Sequence, residues 1–149
     1  LFLESHPYLK AKIETTWDLD TGLPLFTGVA ADFSQVFGNI LRNALEAMQG
    51  RSRKELSIRT WHDENQIHVS IHDNGPGVPE QIRERIFEPF FTTKTLDCGS
   101  FGSLGMGIGL YHCREIVHQY GGTIEVVSNP GQGTAFVIHL PLLSRERTH

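Results

Sequence analysis

Two pairs of neighbouring runs in the sequence predict strands, and the first pair alternates strictly between apolar and polar residues. The first pair is ELSIRTWH (55–62) and QIHVSIHD (66–73), and the second is TIEVVS (123–128) and TAFVIHL (134–140). Alternation with a period of two is typical of half-buried strands, and short polar or glycine-rich spacers between such runs are typical of hairpins. The sequence therefore predicts two β-hairpins, joined by DEN in the first and NPGQG in the second.

The stretch from Phe33 to Met48 has the period of a helix instead. Apolar residues recur along it at spacings of three and four: Phe33, Val36, Phe37, Ile40, Leu41, Ala44 and Met48. We predict Asp32 as the N-cap, with Gln35 three residues later in a variant of the capping box, and Gly50 as the C′ residue.

The remaining segments supply shorter elements. Residues 10–17 and 23–28 are predicted strands, and residues 79–87 a short helix that begins with proline. A second helical run extends from about Met106 to Tyr120 and ends at a glycine pair. Hairpins that alternate with helices favour the α+β class. We predict a two-layer sandwich of one mixed sheet with about three helices on one face.

Length and composition fit one domain, which we place at residues 1–149. The net charge of −4 does not favour a nucleic-acid partner, and no apolar run reaches the roughly 20 residues of a membrane span. Two cysteines suit a reducing compartment. The sequence starts at Leu1 without a signal peptide, so we expect a fragment of a longer cytoplasmic protein, whose membrane attachment stays open.

Asp73 ends the strand QIHVSIHD on its apolar side. A buried carboxylate needs a partner, because an unpaired buried charge is very costly. The turn that follows carries Gly75 and Gly77, which let another group approach the backbone closely. Two interpretations stand with equal weight: Asp73 bonds the amides of its own turn, or it accepts a hydrogen bond from an exocyclic amine such as that of adenine.

Three alternate glycines, Gly105, Gly107 and Gly109, open the second helical run. Amides at a helix N-terminus favour anions, and glycine lets phosphate oxygens reach them. The segment lacks the G-K-[ST] ending of a Walker loop, and it does not follow a strand as the dinucleotide fingerprint requires. A phosphate loop and a flexible hinge both remain open.

Two asparagines, Asn39 and Asn43, lie one turn apart on the rim of the first helix's apolar face. Asparagine is a poor helix former. Either residue could be a simple polar edge residue, which would be the default interpretation of a single asparagine. A pair beside a candidate phosphate loop suggests amide oxygens for a hard cation. Magnesium takes one or two protein oxygens together with phosphates and water.

In order and spacing, these segments resemble the ATP-binding catalytic domain of sensor histidine kinases over about residues 10–141. QVFGNILRNALEAM resembles the N box, DNGPGVP the G1 box, IFEPFFTTK the F box, GMGIGL the G2 box, and GGTIEVVSNPGQGTAFVIHLP the terminal glycine box. The resemblance implies the Bergerat-type ATP-binding fold shared with the heat-shock chaperone, gyrase and mismatch-repair ATPases. The form NALEAM resembles the nitrogen-regulation type of sensor kinase.

The resemblance implies ATP and Mg²⁺ as cofactors, with Asn43 as the metal ligand and Asn39 near the phosphates. Related hydrolases keep a water-activating glutamate at the position of Asn39. The absence of that glutamate here favours phosphoryl transfer to a protein acceptor over hydrolysis. Lys94 is implied as a mobile cation for the phosphates. The other implied nucleotide contacts are Asp73 to the adenine amine, Thr134 through water, and Gly75, Gly77, Val78, Gly105, Gly107, Gly109 and Leu110.

The implied partners are a histidine-containing dimerisation domain upstream and a response-regulator receiver domain, with no nucleic acid. We expect a homodimeric full-length protein and a monomeric fragment. Glu46 departs from the lysine or arginine of many members, and the ATP lid after Lys94 is longer than usual. We expect Thr92 to Ser103 to be mobile without nucleotide. Rival hypotheses are a nucleotide-binding module without catalysis, a serine kinase of the anti-sigma type, and a metal role for three strand histidines, His62, His68 and His72.

Overall fold

The computed structural model describes residues 13–91 and 109–142. This part of the chain holds five strands, two α-helices and two short 3₁₀ turns. In chain order they are β1 (Ile13–Asp18), α1 (Ala30–Ala47), β2 (Lys54–His62), β3 (Gln66–Asp73), the turns Glu80–Ile82 and Arg85–Phe87, α2 (Gly109–Gln119), β4 (Thr123–Ser128) and β5 (Thr134–Pro141).

The strands form one mixed sheet in the order β1-β2-β3-β5-β4. β1 runs parallel to β2, and the other neighbours are antiparallel. Both predicted hairpins are present, as β2-β3 and β4-β5. The central pairing is between β3 and β5, and it joins the two hairpins into one sheet. The predicted α+β class is confirmed.

The hydrophobic core lies between one face of this sheet and the two helices. A single buried cluster contains residues from α1, α2 and the inner sides of β2 to β5. Its most deeply buried members are Val36, Ile40, Met48, Val117, Phe136 and Ile138. On α1, the buried residues fall at spacings of four, as the sequence pattern predicted.

An aromatic cluster joins the start of α1 to the end of α2. The rings of Phe26, Phe33 and Tyr120 pack with centroids 4.9 to 5.8 Å apart. The Tyr120 hydroxyl donates to Asp32 Oδ2 at 2.7 Å and accepts from the Val29 N–H at 2.9 Å. The bond to Asp32 also raises the pKa of Tyr120.

Three details of the sequence prediction near α1 were wrong. Residues 23–28 form no strand; Pro24 lacks an N–H for a ladder, and Phe26 turns inward against Phe33. Asp32 is not the N-cap, because α1 begins at Ala30 and Asp32 bonds Tyr120 instead. Gly50 has the expected left-handed φ of 80°, but it lies two residues beyond the C-cap Met48.

The predicted helix over residues 79–87 was also wrong in form, since the segment makes two separate 3₁₀ turns. Of the six residues in these turns only Phe87 is buried. A short segment with one apolar anchor gains too little from burial to offset the cost of helix nucleation. The structure therefore has two α-helices on the sheet in the described ranges, rather than about three.

The outer face of the sheet carries a buried histidine, His68, between Asp63 and a second histidine, His139. Its Nε2 lies 2.8 Å from Asp63 Oδ2, and its Nδ1 lies 2.6 Å from Nδ1 of His139, whose Nε2 faces Glu125. The Trp61 ring stacks on the imidazole of His68, with ring centroids 5.1 Å apart. His68 is therefore held by specific contacts within the fold rather than by solvent.

The metal hypothesis for the strand histidines gains no support. His62 pairs with Asp20, and His72 Nε2 lies 3.1 Å from the carbonyl oxygen of Gln132. Within residues 13–91 and 109–142, no group of three or more histidine, cysteine or acidic side chains is arranged to hold a metal ion. In the same ranges, neither helix has the length and hydrophobicity to cross a membrane.

Asp63→Asn should remove part of the acid sensitivity of folding. Hydrogen bonds from His68 and from the amides of Asn65 and Gln66 lower the pKa of Asp63 from 3.8 to about 2. The ionised carboxylate therefore stabilises the fold above pH 3.8, and this contribution is lost as the pH falls toward 2. Urea unfolding should find the variant less stable than the parent at pH 7, with the gap closing at low pH.

The matched control is Glu64→Gln, at an exposed position of the same turn. It should leave the pH dependence of the free energy of unfolding as it is in the parent. A gap between Asp63→Asn and the parent that stays the same at pH 7 and pH 2 would contradict the role given to the Asp63 charge.

Candidate functional site

A row of three buried polar side chains crosses one end of the sheet. Asp73 is the last residue of β3, Thr134 the first of β5 and Ser128 the last of β4, and the register pairs Thr134 with both of the others. All three are at most 4% exposed. The inward-facing residues next to them in the strands are apolar, so these three side chains form a polar end to the hydrophobic core.

Asp73 bonds the turn that follows it. Its Oδ1 accepts the N–H of Gly75 at 2.8 Å, and the backbone of Thr134 also hydrogen-bonds to the carboxyl. Burial raises the pKa of Asp73, against the opposing effects of these bonds. No salt bridge joins it to a cation in the described ranges. The first interpretation of Asp73, as a cap of its own turn, is thus confirmed. A carboxylate has about four acceptor sites, so capacity for a further donor remains.

The turn after Asp73 is packed tightly against its neighbours. A side-chain carbon at Gly75 would lie 2.9 Å from the carbonyl oxygen of Ala47, at the end of α1. Gly77 has a left-handed φ of 88°, and a side chain there would lie 2.9 Å from Ser128 Oγ. The two glycines are therefore needed for close approach, as the sequence predicted.

Three residues without a role in the sequence analysis fix this turn. The Asn74 side chain accepts from the N–H of Glu55 in β2 and donates to the carbonyl oxygen of Arg53 just before it, at 3.0 Å each. Ser128 and Arg83 bond the backbone of Val78. Ser128 shares the inward parity of Ile124, so its burial was readable from the sequence, but each of the three has at least one partner in a distant segment.

The two asparagines lie along one flank of α1. The Asn39 amide donates to the carbonyl oxygen of Gly109 at 3.3 Å, and its Oδ1 accepts from Arg42 at 3.4 Å. Asn43 follows one turn later, half-buried, and Ala47 one turn after that. Asn39, Asn43 and Ala47 form what we call the asparagine row. It runs from the start of α2, beside Asn39, to the turn after Asp73, beside Ala47.

Gly109, the first residue of α2, is exposed, and Leu110 packs partly into the core. Lys94, Gly105 and Gly107 lie outside the described residues. So does the lid segment from Thr92 to Ser103.

The cysteine of α2, Cys113, is buried and unreactive. Burial raises the pKa of the Cys113 thiol to about 12, and its Sγ lies 3.5 Å from the carbonyl oxygen of Val36 on α1. It therefore stays protonated and packs α2 against α1 beside the asparagine row.

Comparison with known proteins finds one matching family model. Residues 28–144 match the family of histidine kinase-, DNA gyrase B- and HSP90-like ATPases. Among curated relatives, the chain is 34% identical over 135 residues to the signal transduction histidine-protein kinase AtoS of Escherichia coli K12. It is 37% identical over 140 residues to the adaptive-response sensory kinase SasA of Prochlorococcus marinus MIT 9313. These matches cover 90% and 93% of the chain, but only 21% and 36% of the relatives.

Solved structures agree with this match. The catalytic domain of the histidine kinase ThkA, in a nucleotide-free form, aligns with a TM-score of 0.74 at 30% identity, over 89% of this chain and 82% of that one. Full-length ShkA in complex with AMPPNP aligns with a TM-score of 0.73 at 26% identity, over 89% of this chain and 26% of that one. The chain thus spans most of an isolated catalytic domain and a minor part of the full-length kinases.

Gly133→Ala should destabilise the fold far more than Gly131→Ala. Both glycines have a left-handed φ, at 85° and 76°, so alanine is strained at either. At Gly131 the added carbon meets open space, whereas at Gly133 it collides with the backbone carbonyl oxygen of Asp73. Urea unfolding should show losses of about 1–2 kcal/mol for Gly131→Ala and about 2–5 kcal/mol for Gly133→Ala. Equal losses would mean that the Gly133 contact with β3 is looser than described.

Proposed function

The chain belongs to the family of histidine kinase-, DNA gyrase B- and HSP90-like ATPases, and on that basis we propose that it binds Mg-ATP and donates the γ-phosphate to a histidine on a separate dimerisation domain. The supporting observation is the asparagine row of α1. It connects an acceptor carboxylate at the end of the sheet with the N-terminus of α2. Along it we assign one nucleotide, with its base at Asp73 and its phosphates at Gly109. The nitrogen-regulation subtype stays a prediction.

The base end is built for a hydrogen-bond donor. Asp73 is an acceptor when ionised, and we assign Gly77 and Val78, in the turn that follows it, to contact with the base. The exocyclic amine of adenine suits such a carboxylate, whereas the carbonyl of guanine would face it with like charge. Thr134 pairs with Asp73 across strands β5 and β3, and we assign it a contact to the base through water.

The phosphate end combines a cation ligand with backbone amides. Asn43 offers a half-buried amide oxygen in the middle of the row, a donor type that Mg²⁺ accepts alongside water and phosphate oxygens. When bound, the ion would neutralise charge on the phosphates. Amides at the first turn of a helix favour an anion, and we assign Gly105, Gly107, Gly109 and Leu110 to that role. Lys94 is assigned to the phosphates as a cation.

The site favours phosphoryl transfer over hydrolysis. Asn39 already bonds the carbonyl of Gly109 and the guanidinium of Arg42, and an amide cannot take a proton from water. General-base help is worth about 10²–10⁴-fold in rate, so water attack should be slow. The chain's own groups position the phosphates, and the nucleophile comes from the partner domain.

The partners that we propose follow from the relatives. AtoS and SasA are named as a signal-transduction and a sensory kinase. We therefore assign to this chain a histidine-bearing dimerisation domain within the same full-length homodimer, and a response-regulator receiver domain as the next acceptor. The proposed compartment is the cytoplasm.

Asp73→Asn should weaken ATP binding and narrow the preference for ATP over GTP. The amide can place its NH₂ toward the adenine NH₂ or toward the N–H of Gly75, and either leaves donors facing each other. An unsatisfied buried group costs about 1–3 kcal/mol, or roughly 5- to 150-fold in affinity. Isothermal titration with both nucleotides and Mg²⁺ measures this. Asp63→Asn, the same change on the outer face, is the control, and equal ATP and GTP affinity in the parent would overturn the role of Asp73.

Phosphoryl transfer is tested with γ-labelled ATP, Mg²⁺ and the cognate histidine hairpin supplied as a separate polypeptide. The chain alone should turn over ATP slowly and stay unlabelled. With the hairpin added, a label that is stable in base and labile in acid should form on the hairpin. Asn43→Ala should abolish or strongly reduce it, whereas Asn65→Ala, in the β2-β3 turn, should not.

The other outcomes identify the rival functions. An acid-stable label would point to a serine kinase of the anti-sigma type. Tight Mg-ATP binding without any label on the hairpin would point to a nucleotide-binding module without catalysis.

A further inference from the structure

The hydroxyl of Ser128 is fully engaged inside the fold. It accepts the N–H of Val78 at 2.7 Å and donates to the carbonyl oxygen of Gly133 at 2.9 Å. A serine hydroxyl has one proton, so the Thr134 hydroxyl, 3.4 Å away, must be the donor in their contact. With one donated and two accepted bonds, Ser128 has no capacity left for a ligand, and its effect must be exerted through these neighbours.

The guanidinium of Arg83 holds the same backbone from the other side. Its Nε donates to the carbonyl oxygen of Val78 at 3.2 Å, and its Nη2 donates to the carbonyl oxygen of Ser128. Both polar backbone atoms of Val78 are therefore bonded, the N–H to Ser128 and the carbonyl to Arg83. A lysine carries its charge on one nitrogen and lacks the planar fork that reaches two carbonyls at once.

The turn that ends at Val78 is held at its start as well. Both polar atoms of the Asn74 amide are bonded, Oδ1 to the N–H of Glu55 in β2 and Nδ2 to the carbonyl oxygen of Arg53 just before that strand. Between the two fixed ends, Gly77 passes so close to Ser128 Oγ that a side-chain carbon would come within 2.9 Å. The path of the turn beside Asp73 thus depends on Ser128 and Arg83 at one end and on Asn74 at the other.

From these contacts we infer that Ser128 and Arg83 are positioning residues for the base of the nucleotide, acting through Val78. They fix the backbone that borders Asp73, and so they set where a base can lie relative to the carboxylate. The inference rests on the proposed binding of ATP and adds residues that determine base specificity. An ordered turn loses less entropy when a ligand binds, so releasing it should weaken binding and loosen discrimination.

Ser128→Ala tests this by isothermal titration with ATP, adenosine and GTP. The affinities for ATP and adenosine should fall by the same factor, roughly 3- to 10-fold, because the effect lies at the base. The ratio of ATP affinity to GTP affinity should also fall. A lower free energy of unfolding alone would not change this ratio in the folded protein. Ser70→Ala, a strand serine on the outer face of the sheet, is the control and should bind like the parent.

Arg83→Gln and Arg83→Lys provide an independent route, which decides the matter if Ser128→Ala does not fold. Both should reproduce the equal loss for ATP and adenosine, since neither side chain bridges Val78 and Ser128. Arg59→Gln, on the outer face of β2, is the matched control.

Two results would overturn the inference while leaving the proposed function standing. One is parental affinity for all three ligands in folded variants. The other is a loss for ATP with adenosine unchanged, which would place the effect at the phosphates. If the unmutated chain binds neither ATP nor adenosine, the proposed function itself fails.

Discussion

The antiparallel ladder between β3 and β5 is the interaction on which the rest of the structure depends. It joins two hairpins that are each local in sequence, and it pairs Asp73 with Thr134, about 60 residues apart. Below that pair, Ile71 faces Phe136 and Val69 faces Ile138, so the same ladder assembles the centre of the core. Core and candidate site are therefore formed by one pairing, and a shift of register would lose both.

The first helix serves the core and the site at once. Its buried residues recur every four positions from Val36 to Met48, while the row of Asn39, Asn43 and Ala47 occupies the neighbouring flank. Asparagine lowers helix propensity by roughly half a kcal/mol at each position. Packing of the apolar face outweighs that loss, so the helix tolerates polar side chains where a ligand needs them.

Local sequence patterns predicted the hairpins, the long helix and the inward orientation of Asp73, because each depends on spacing within a few residues. The errors arose where distant contacts decide. Asp32 bonds Tyr120 rather than capping its helix, and residues 79–87 stay in short turns whose only fully buried side chain is Phe87. Ser128 and Arg83 could not be predicted for the same reason, since Ser128 bonds Val78 and Arg83 bonds the carbonyl oxygen of Ser128, both across distant parts of the chain.

The β3–β5 ladder also closes a long loop, which contains the segment between Phe91 and Gly109. The entropy cost of closing a loop rises only logarithmically with its length, by about 0.6 kcal/mol per doubling. Inserting residues between these two positions thus adds little to the cost of closing the loop, and the pairing of the ladder itself does not depend on their number. Evolution can lengthen or shorten that stretch while leaving the sheet, and with it the end that carries Asp73, untouched.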